Sequence, residues 1–266
     1  MSVDPVNLRQ AVLHKVGGFG LEAAWLARDL VGGAGEARPF LIFGRGRSGS
    51  TLLVSLLDSH PAVVCHGETM RYRVLAPEVM IRRVLRVAGR APGAAAVGFK
   101  LLSYQLRDIH RFPPQSDLLA RLAGEGVRIF YLRRENLVRH ALSNLVARQR
   151  WVFHSTDPGA EVKAERFDLA PETLLEWMRG SAALHDYERA VLDGVPHREL
   201  IYERDLAEAD RQAATYRLVL EDLGLAWQRP HADLRPVTPQ DPGEIIGNWD
   251  AVRGAIARSE FAKYLP

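Results

Sequence analysis

The sequence predicts an α/β domain in which a P-loop-like parallel sheet is flanked by helices on both faces. Short apolar segments near residues 40–43, 63–66, 95–102 and 127–132 alternate with longer stretches of helical periodicity. This alternation is typical of strand–helix–strand units, whose strands run parallel. The 266 residues are enough for one large domain with a substantial core.

Helices are expected between the strands. The leucines of Ser50–Asp58 recur at helical spacing, which gives this helix an apolar face for the sheet. Similar periodicity predicts helices at Arg71–Arg90, 116–124, 136–150, 171–193 and 209–223. A fifth strand is predicted at Glu199–Tyr202. Glycines at 32–35 separate an N-terminal helical segment, residues 1–35, from a single α/β domain at 36–266.

Composition and charge argue against several classes of protein. The formal net charge of +3 suits an enzyme that binds a polyanionic nucleotide, but it does not favour a nucleic-acid-binding protein. Cys65 is the only cysteine, so no intramolecular disulfide can form and a cytoplasmic location is expected. No apolar run approaches the roughly 18 to 20 residues that span a bilayer, and no signal peptide is evident. The histidines show no metal-ligand spacing, so no metal is expected, and the oligomeric state is left open.

The most informative segment is Phe40–Thr51, which predicts a buried strand, a glycine-rich turn and the start of a helix. This geometry points backbone N–H groups at one place, which favours the binding of phosphate. Gly44 and Gly49 have the spacing of a nucleotide-hydrolysing phosphate loop, but Ser50 stands where that loop has its lysine. The cation is Arg47, three residues earlier. The turn is therefore expected to hold a phosphate ester whose transferred group is not a magnesium-bound γ-phosphoryl group.

The run Arg47-Ser48-Gly49-Ser50-Thr51 resembles the [KR]-[ST]-G-[ST]-[ST] turn of sulfotransferases that use 3′-phosphoadenosine 5′-phosphosulfate (PAPS). Three further segments follow in that family's order, namely His60–Glu68, Gly98-Phe99-Lys100, and Arg128–Leu137 with Ser143 on the next helix. The chain is similar in particular to bacterial carbohydrate sulfotransferases of the nodulation-factor type. The resemblance covers roughly residues 39–150 and implies the sulfotransferase fold.

The resemblance implies that PAPS is a co-substrate, without a metal. Its sulfuryl group would pass by in-line displacement to a hydroxyl of a small-molecule or glycan acceptor, such as a carbohydrate, a glycolipid or a secondary metabolite. Ser143 and an arginine would hold the 3′-phosphate, and the spacing leaves both Arg133 and Arg134 as candidates. The cofactor-binding candidates are Arg45, Gly46, Arg47, Ser48, Gly49, Ser50, Thr51, Arg133, Arg134 and Ser143.

Four residues are candidates for the chemistry. Arg47 is expected to stabilise the leaving group, because a preorganised donor at a developing charge lowers the barrier. Glu68 lies 21 residues after Arg47 at the end of a strand, and the resemblance implies that it is the general base. His66 is the alternative base, by the usual preference for histidine. Lys100 would assist at the sulfuryl oxygens as a second cation.

These candidates follow predicted strands, and ligands of parallel sheets bind beyond the carboxyl ends of the strands. We therefore expect the candidates to converge at one edge of the sheet. Two other functions are weighed against sulfuryl transfer: an ATP-dependent small-molecule kinase, which Ser50 disfavours, and a non-catalytic nucleotide-binding protein of the same fold. Arg71–Arg90 holds six arginines, which form either a solvated helix face or a steering patch for an acidic acceptor. Trp249 either covers the nucleotide or packs the last helix.

Overall fold

The computed structural model describes residues 36–150, 166–230 and 241–265. Five parallel strands form one sheet in the spatial order β2-β3-β1-β4-β5. The strands are β1 (Arg38–Gly44), β2 (Val63–Glu68), β3 (Ala96–Leu102), β4 (Arg128–Arg133) and β5 (Arg198–Ile201). The predicted parallel α/β sheet is confirmed. The predicted N-terminal helix, within residues 1–35, lies outside the described residues.

Seven α-helices connect and cover these strands in the part of the chain that is described. They are α1 (Ser50–Asp58), α2 (Pro77–Ala88), α3 (Leu118–Gly124), α4 (Leu137–Arg150), α5 (Pro171–Val191), α6 (Ala209–Asp222) and α7 (Trp249–Ala257). Single turns of π-helix follow β3 at Gln105–Ile109 and β5 at Tyr202–Leu206, and short 3₁₀ turns lie at Pro242–Glu244 and Ala262–Tyr264.

The helix predicted at Arg71–Arg90 is wrong over residues 71–76, because α2 begins only at Pro77. Proline is well suited to the first helical position, while its ring disfavours helical backbone in the residue before it. Ala76 accordingly has φ −124° and ψ 74°, outside the helical region. The preceding six residues therefore follow β2 as irregular chain, and this brings them next to the carboxyl end of the sheet.

Alternate residues of the central strand face opposite sides of the sheet, and each side has its own core. Leu41 and Phe43 pack into a cluster with side chains from α2, α3 and α5. Phe40 and Ile42 pack into a second cluster with side chains from α1 and α6. Helices thus cover both faces, as predicted. A third cluster joins α4, α5 and α7 beside the sheet.

The strand order places β1 at the centre and determines where a ligand can lie. After β1 the chain crosses over to β2 at one edge, whereas β4 and β5 extend the sheet on the other side of β1. The direction of winding reverses between β1 and β4, and such a reversal opens a crevice at the carboxyl ends of the strands. The turn at Arg45–Gly49 follows β1, and Arg134 follows β4, so both border this crevice.

Among the described residues, the search for a helix long and apolar enough to cross a bilayer finds none.

Gly98 pairs with Phe40 across β3 and β1, and a Cβ atom at Gly98 would collide with the Phe40 ring. We expect Gly98→Ala to lower the free energy of unfolding by about 1–3 kcal/mol, because the overpacked ring must move. Urea unfolding monitored by circular dichroism measures this change.

The matched control is Gly180→Ala, at an exposed position inside α5 where a Cβ meets nothing within 4 Å. This control should raise stability by about 0.5–1 kcal/mol, the helix-propensity difference. Equal unfolding free energies for wild type and Gly98→Ala would contradict the close packing of Phe40 on the glycine.

Candidate active site

The turn between β1 and α1 (Arg45–Gly49) is held in a backbone conformation that few sequences permit. Gly49 has φ 86°, and a Cβ atom there would lie 2.6 Å from the Tyr202 ring. Arg47 has φ 62°, a left-handed conformation that is uncommon for a residue with a side chain. Strained backbone of this kind persists only where the surrounding structure enforces it, and it clusters at ligand sites.

The turn and the start of α1 present hydrogen-bond donors. The first hydrogen bond of α1 runs from Leu53 N to Gly49 O at 3.0 Å, and no side chain caps the helix start. The amides of the first helical turn therefore point out of the helix end with its positive dipole. Ser48 is fully buried, and its Oγ has no hydrogen-bond partner among the described residues. Because buried hydroxyls are normally satisfied, this hydroxyl and the amides at the helix start fit an anionic oxygen ligand.

Arg45 fastens the turn to the core. Its side chain is 2% exposed and its Nε lies 3.3 Å from Glu188 Oε2, which is also buried. Glu188 accepts two further hydrogen bonds, from Ser103 Oγ at 2.6 Å and from the Tyr131 hydroxyl at 2.7 Å. This buried carboxylate is therefore well satisfied. The guanidinium of Arg45 is thus held by protein partners, including the Ser181 hydroxyl at 2.9 Å and the Arg134 carbonyl oxygen at 3.3 Å.

His140 on α4 contacts the same turn from its buried side. His140 Nε2 lies 2.7 Å from the Gly46 carbonyl oxygen, which can only accept, so Nε2 carries the proton and donates to it. The Nδ1 of a neutral imidazole then accepts from the Ser181 hydroxyl, 2.8 Å away, and Ser181 Oγ in turn accepts from Arg45 Nη1 at 2.9 Å. Complete burial, reinforced by the charge of Arg45, lowers the pKa of His140 to about 3. The imidazole is thus neutral near pH ~7, and its two hydrogen bonds hold the Gly46 carbonyl and the Ser181 hydroxyl in place.

Arg47 and Ser143 meet across the crevice. Arg47 Nε donates to Ser143 Oγ at 3.2 Å, which joins the β1–α1 turn to α4. Burial lowers the pKa of Arg47, and the neighbouring positive charge of Arg134 lowers it further. Two cations and a hydroxyl thus share one small region. Mutual repulsion between the arginines favours the binding of an anion there.

The two candidate arginines after β4 have different surroundings. Arg134 lies over the Tyr202 ring, 4.6 Å from its centre, and its Nε is 3.3 Å from Glu203 Oε1. Arg133 instead pairs with Glu199 at 2.6 Å and Glu135 at 3.1 Å. Arg45 Nη2 donates to the Arg134 carbonyl oxygen at 3.3 Å, and the positive charge of Arg134 lowers the pKa of both Arg47 and His140, so Arg134 lies beside the turn. The geometry therefore favours Arg134 as the partner of Ser143.

Glu203 binds the backbone amides at the start of α4. Its carboxylate accepts from the backbone N–H of Glu135 at 3.0 Å and of Asn136 at 3.2 Å, beside its contact with Arg134. A carboxylate is favourable at a helix N-terminus because it faces the positive end of the helix dipole. This arrangement holds Arg134 between the Tyr202 ring and a fixed negative charge.

Lys100 links the turn to the candidate base on the other side of β1. Its Nζ donates to Thr51 Oγ1 at 3.2 Å and lies 3.0 Å from Glu68 Oε1. Gln105 is fully buried; it donates to Glu68 Oε2 at 3.2 Å and accepts from the Leu102 N–H at 3.0 Å. The carboxylate of Glu68 is therefore held in one orientation, directly beside the Lys100 ammonium group.

A bulge in β2 separates Glu68 from His66. His66 pairs with Phe99 and Glu68 pairs with Lys100, so Gly67 is one extra residue in the strand. An extra residue reverses which face of the sheet the next side chain points to. Glu68 consequently shares the face of Lys100 and α1, whereas His66 is exposed on the other. The geometry favours Glu68 over His66 as the residue near the β1–α1 turn.

An open cavity of about 870 Å³ adjoins the site at Arg134, within the range of roughly 300–1,000 Å³ typical of ligand pockets. Asn136 at the start of α4, together with Trp249 and Tyr264 near the C-terminus, contributes to its walls. Trp249 also packs against the third core cluster, so both of its predicted roles are compatible with its position. Within the described ranges, no group of three or more His, Cys, Asp or Glu is placed to hold a metal ion.

Three residues that organise this site are absent from the sequence-derived candidates: Gln105, His140 and Glu188. Gln105 and His140 meet their partners 37 and 94 positions away, so no local pattern marks them. Glu188 does carry a signal. It lies three residues before Val191 on α5, on the apolar face of that helix, where a carboxylate needs a buried partner.

Comparison with known proteins finds similarity to sulfotransferases. Residues 39–92, which contain the β1–α1 turn and Glu68, match the model of a family described as the Sulfotransferase family. The resemblance to sulfotransferases expected from the sequence is thereby confirmed. Among solved structures, the chain is similar to a sulfotransferase from Alicyclobacillus acidocaldarius, with 15% sequence identity and a TM-score of 0.48 over 86% of this chain and 93% of that chain. No curated protein sequence matches the chain.

Because His140 is neutral when buried, we expect the free energy of unfolding to depend on pH in the acid range. Its pKa is about 3 in the folded protein, against ~6.5 in an unfolded chain. Between these values the unfolded chain binds a proton that the folded protein does not, so stability falls as pH falls through this window, by up to ~1.4 kcal/mol per pH unit. Urea unfolding at pH ~7 and ~5 measures the slope.

We expect His140→Gln to flatten this slope, while His66→Gln, at an exposed histidine, keeps it. An unchanged slope in the His140 variant would show that other groups carry the pH dependence.

Proposed function

We propose that this protein is a PAPS-dependent sulfotransferase that transfers a sulfuryl group to a hydroxyl of a carbohydrate, glycolipid or secondary metabolite. The observation that carries the proposal is the position of Lys100, which contacts Thr51 of the β1–α1 unit and the carboxylate of Glu68 at once. Sulfuryl transfer needs an anion cradle, a cation and a base side by side. In this chain Lys100 would be such a cation, because it lies within hydrogen-bond distance both of Thr51 at the start of α1 and of the candidate base Glu68.

The residues of the β1–α1 turn fit the phosphosulfate end of PAPS. The amides at the start of α1 and the Ser48 hydroxyl, which has no partner among the described residues, would donate to its oxygens. Arg47 would face the bridging oxygen, where negative charge grows as the sulfur–oxygen bond breaks. Ser50 occupies the position at which nucleotide hydrolases carry a lysine. Arg47 and Lys100 would therefore supply the positive charge that stabilises the phosphosulfate.

Arg134 and Ser143 fit the 3′-phosphate. A guanidinium and a hydroxyl together form charge-assisted hydrogen bonds with a phosphate, and both lie beside Arg47. The adjoining cavity, with Trp249 and Tyr264 in its walls, has room and aromatic surface for the nucleoside. The 3′-phosphate is the group that would distinguish PAPS from other adenine nucleotides.

On the acceptor side, Glu68 would take the proton of the attacking hydroxyl. The acceptor oxygen forms a bond to sulfur while the bond from sulfur to the phosphate oxygen breaks, and the released charge faces Arg47 and the turn amides. Lys100, which contacts both Thr51 and Glu68, would stabilise negative charge on the sulfuryl oxygens. Gln105 keeps the carboxylate aimed during this exchange.

The nucleotide assignment is tested by calorimetric titration with adenosine 3′,5′-bisphosphate, with ATP and magnesium as the competing ligand. We expect Arg134→Ala to weaken binding of the bisphosphate about tenfold to a hundredfold, because a charge-assisted hydrogen bond is lost.

The matched control, Arg133→Ala, removes only partly exposed ion pairs and should change affinity about threefold or less. Equal losses in both variants would contradict the assignment of Arg134. Binding of ATP with magnesium, and not of the bisphosphate, would overturn the sulfotransferase proposal in favour of a kinase.

The base assignment predicts a separation of binding from turnover. Glu68→Gln keeps the shape of the side chain but cannot accept the proton, so kcat should fall about a hundredfold or more. Affinity for the bisphosphate should stay near the wild-type value. Turnover is measured with labelled PAPS and a panel of hydroxyl acceptors.

Glu172→Gln, an exposed carboxylate in the first turn of α5, serves as the control and should leave kcat unchanged. Near-normal turnover in Glu68→Gln would show that another residue, and not Glu68, is the base. A wild-type protein that binds the bisphosphate but sulfates no acceptor in a broad panel would favour a non-catalytic role.

A further inference from the structure

The irregular segment after Glu68 exposes apolar side chains to solvent. Tyr72 is 82% exposed, Leu75 is 68% exposed and Val79 is 44% exposed. Only two other large apolar residues of the described chain, Val87 and Trp227, are comparably exposed. Three of the five therefore lie within eight consecutive residues, beside the candidate base. An exposed apolar cluster at the rim of a site commonly marks a binding surface.

Two arginines alternate with these side chains. Arg71 is 62% exposed, and its Nε lies 3.6 Å from Glu68 Oε2. Arg73 is exposed as well, without an ion-pair partner among the residues described. Residues 69–77 contain no acidic side chain. The exposed side chains of Arg71, Tyr72, Arg73, Leu75 and Val79, which we call the 71–79 surface, therefore combine positive charge with apolar area.

The structure separates these two arginines from those of α2. Arg82 pairs with Glu78 at 2.8 Å and with Glu125 at 2.6 Å, so its charge is compensated on the solvated face of the helix. Arg71 and Arg73 lie apart from the arginines of α2 because the helix begins only at Pro77. In a continuous helix these two residues would instead lie on faces of α2. The arginine-rich stretch thus divides into α2, on which Arg82 is paired with two carboxylates, and two exposed arginines before the helix, next to the candidate base.

The start of the segment is anchored. Met70 is fully buried in the first core cluster, and its carbonyl oxygen lies 3.2 Å from His110 Nε2. Tyr104, half-buried beside Glu68, interacts electrostatically with both Glu68 and Arg71. The rim therefore keeps a definite place next to the candidate base. An acceptor that lies on it presents its nearest hydroxyl to Glu68.

We propose that the 71–79 surface binds the sulfuryl acceptor, and that the acceptor is an anionic amphiphile. Its apolar chain or ring would lie on Tyr72 and Leu75, and its negative group would pair with Arg71 and Arg73. Charge complementarity carries this choice, since a neutral glycan would use neither cation and would leave Leu75 in water. The assignment rests on the proposed function, because it takes Glu68 as the base.

The test uses the full chain saturated with adenosine 3′,5′-bisphosphate, so that the anion cradle is filled. Dodecyl phosphate, kept below its micellar concentration, is the probe, and dodecyl maltoside and inorganic phosphate are the comparison ligands. Calorimetry should show tighter binding of dodecyl phosphate than of either comparison ligand. The combined change Arg71→Gln with Arg73→Gln should weaken it about fivefold to tenfold, and Tyr72→Ser with Leu75→Ser about tenfold or more.

Two controls lie away from this surface. Arg128→Gln removes an exposed arginine at the start of β4, and Trp227→Ser removes an exposed apolar residue. Both should bind dodecyl phosphate as the wild type does, and all variants should keep their affinity for the bisphosphate.

Equal binding of dodecyl phosphate by wild type and by both 71–79 variants would overturn the inference, as would equal binding of dodecyl maltoside. In those cases an intact affinity for the bisphosphate would leave the proposed function standing. Failure of the wild type to bind the bisphosphate would instead overturn the proposed function. Sedimentation provides the last arm: a wild-type dimer that Tyr72→Ser with Leu75→Ser converts to monomer would make this surface an interface between copies and overturn the inference.

Discussion

The buried ion pair between Arg45 and Glu188 is the interaction on which the rest of the candidate site depends. Both side chains are removed from water, and a single unpaired charge there would cost several kcal/mol, roughly 3–5 by the usual effect of breaking a buried pair. Hydroxyl donors from Ser103 and Tyr131 complete the coordination of the carboxylate. The pair therefore ties the end of β1 to α5 and to the ends of β3 and β4.

A turn fastened in this way can present its donors without support from a ligand. Arg45 and His140 hold it from the core side, so Arg47 can keep a left-handed backbone and reach Ser143. On the opposite side of the turn, Lys100 reaches Thr51. The cations around the crevice are thus in place before an anion arrives. Preorganised donors of this kind are the largest single source of electrostatic catalysis in enzymes.

Much of the fold could be predicted because local patterns carry it. The strands are short apolar runs, and α1 was expected at its observed bounds because its leucines have helical spacing. The error at residues 71–76 has a local cause, since the helical periodicity of the region outweighed the effect of Pro77 on the residue before it. That break is what places exposed arginine and apolar side chains at the rim of the site.

The sequence by itself determined the parallel α/β class, the glycine-rich turn after the first strand and the resemblance to sulfotransferases, because each depends on residues close together in the chain. Only the tertiary structure decided which candidates share a surface. The bulge at Gly67 sets Glu68 against Lys100 and turns His66 away, and packing on Tyr202 sets Arg134 beside Arg47. Such choices depend on strand register and on contacts between distant segments, which no local pattern of residues encodes.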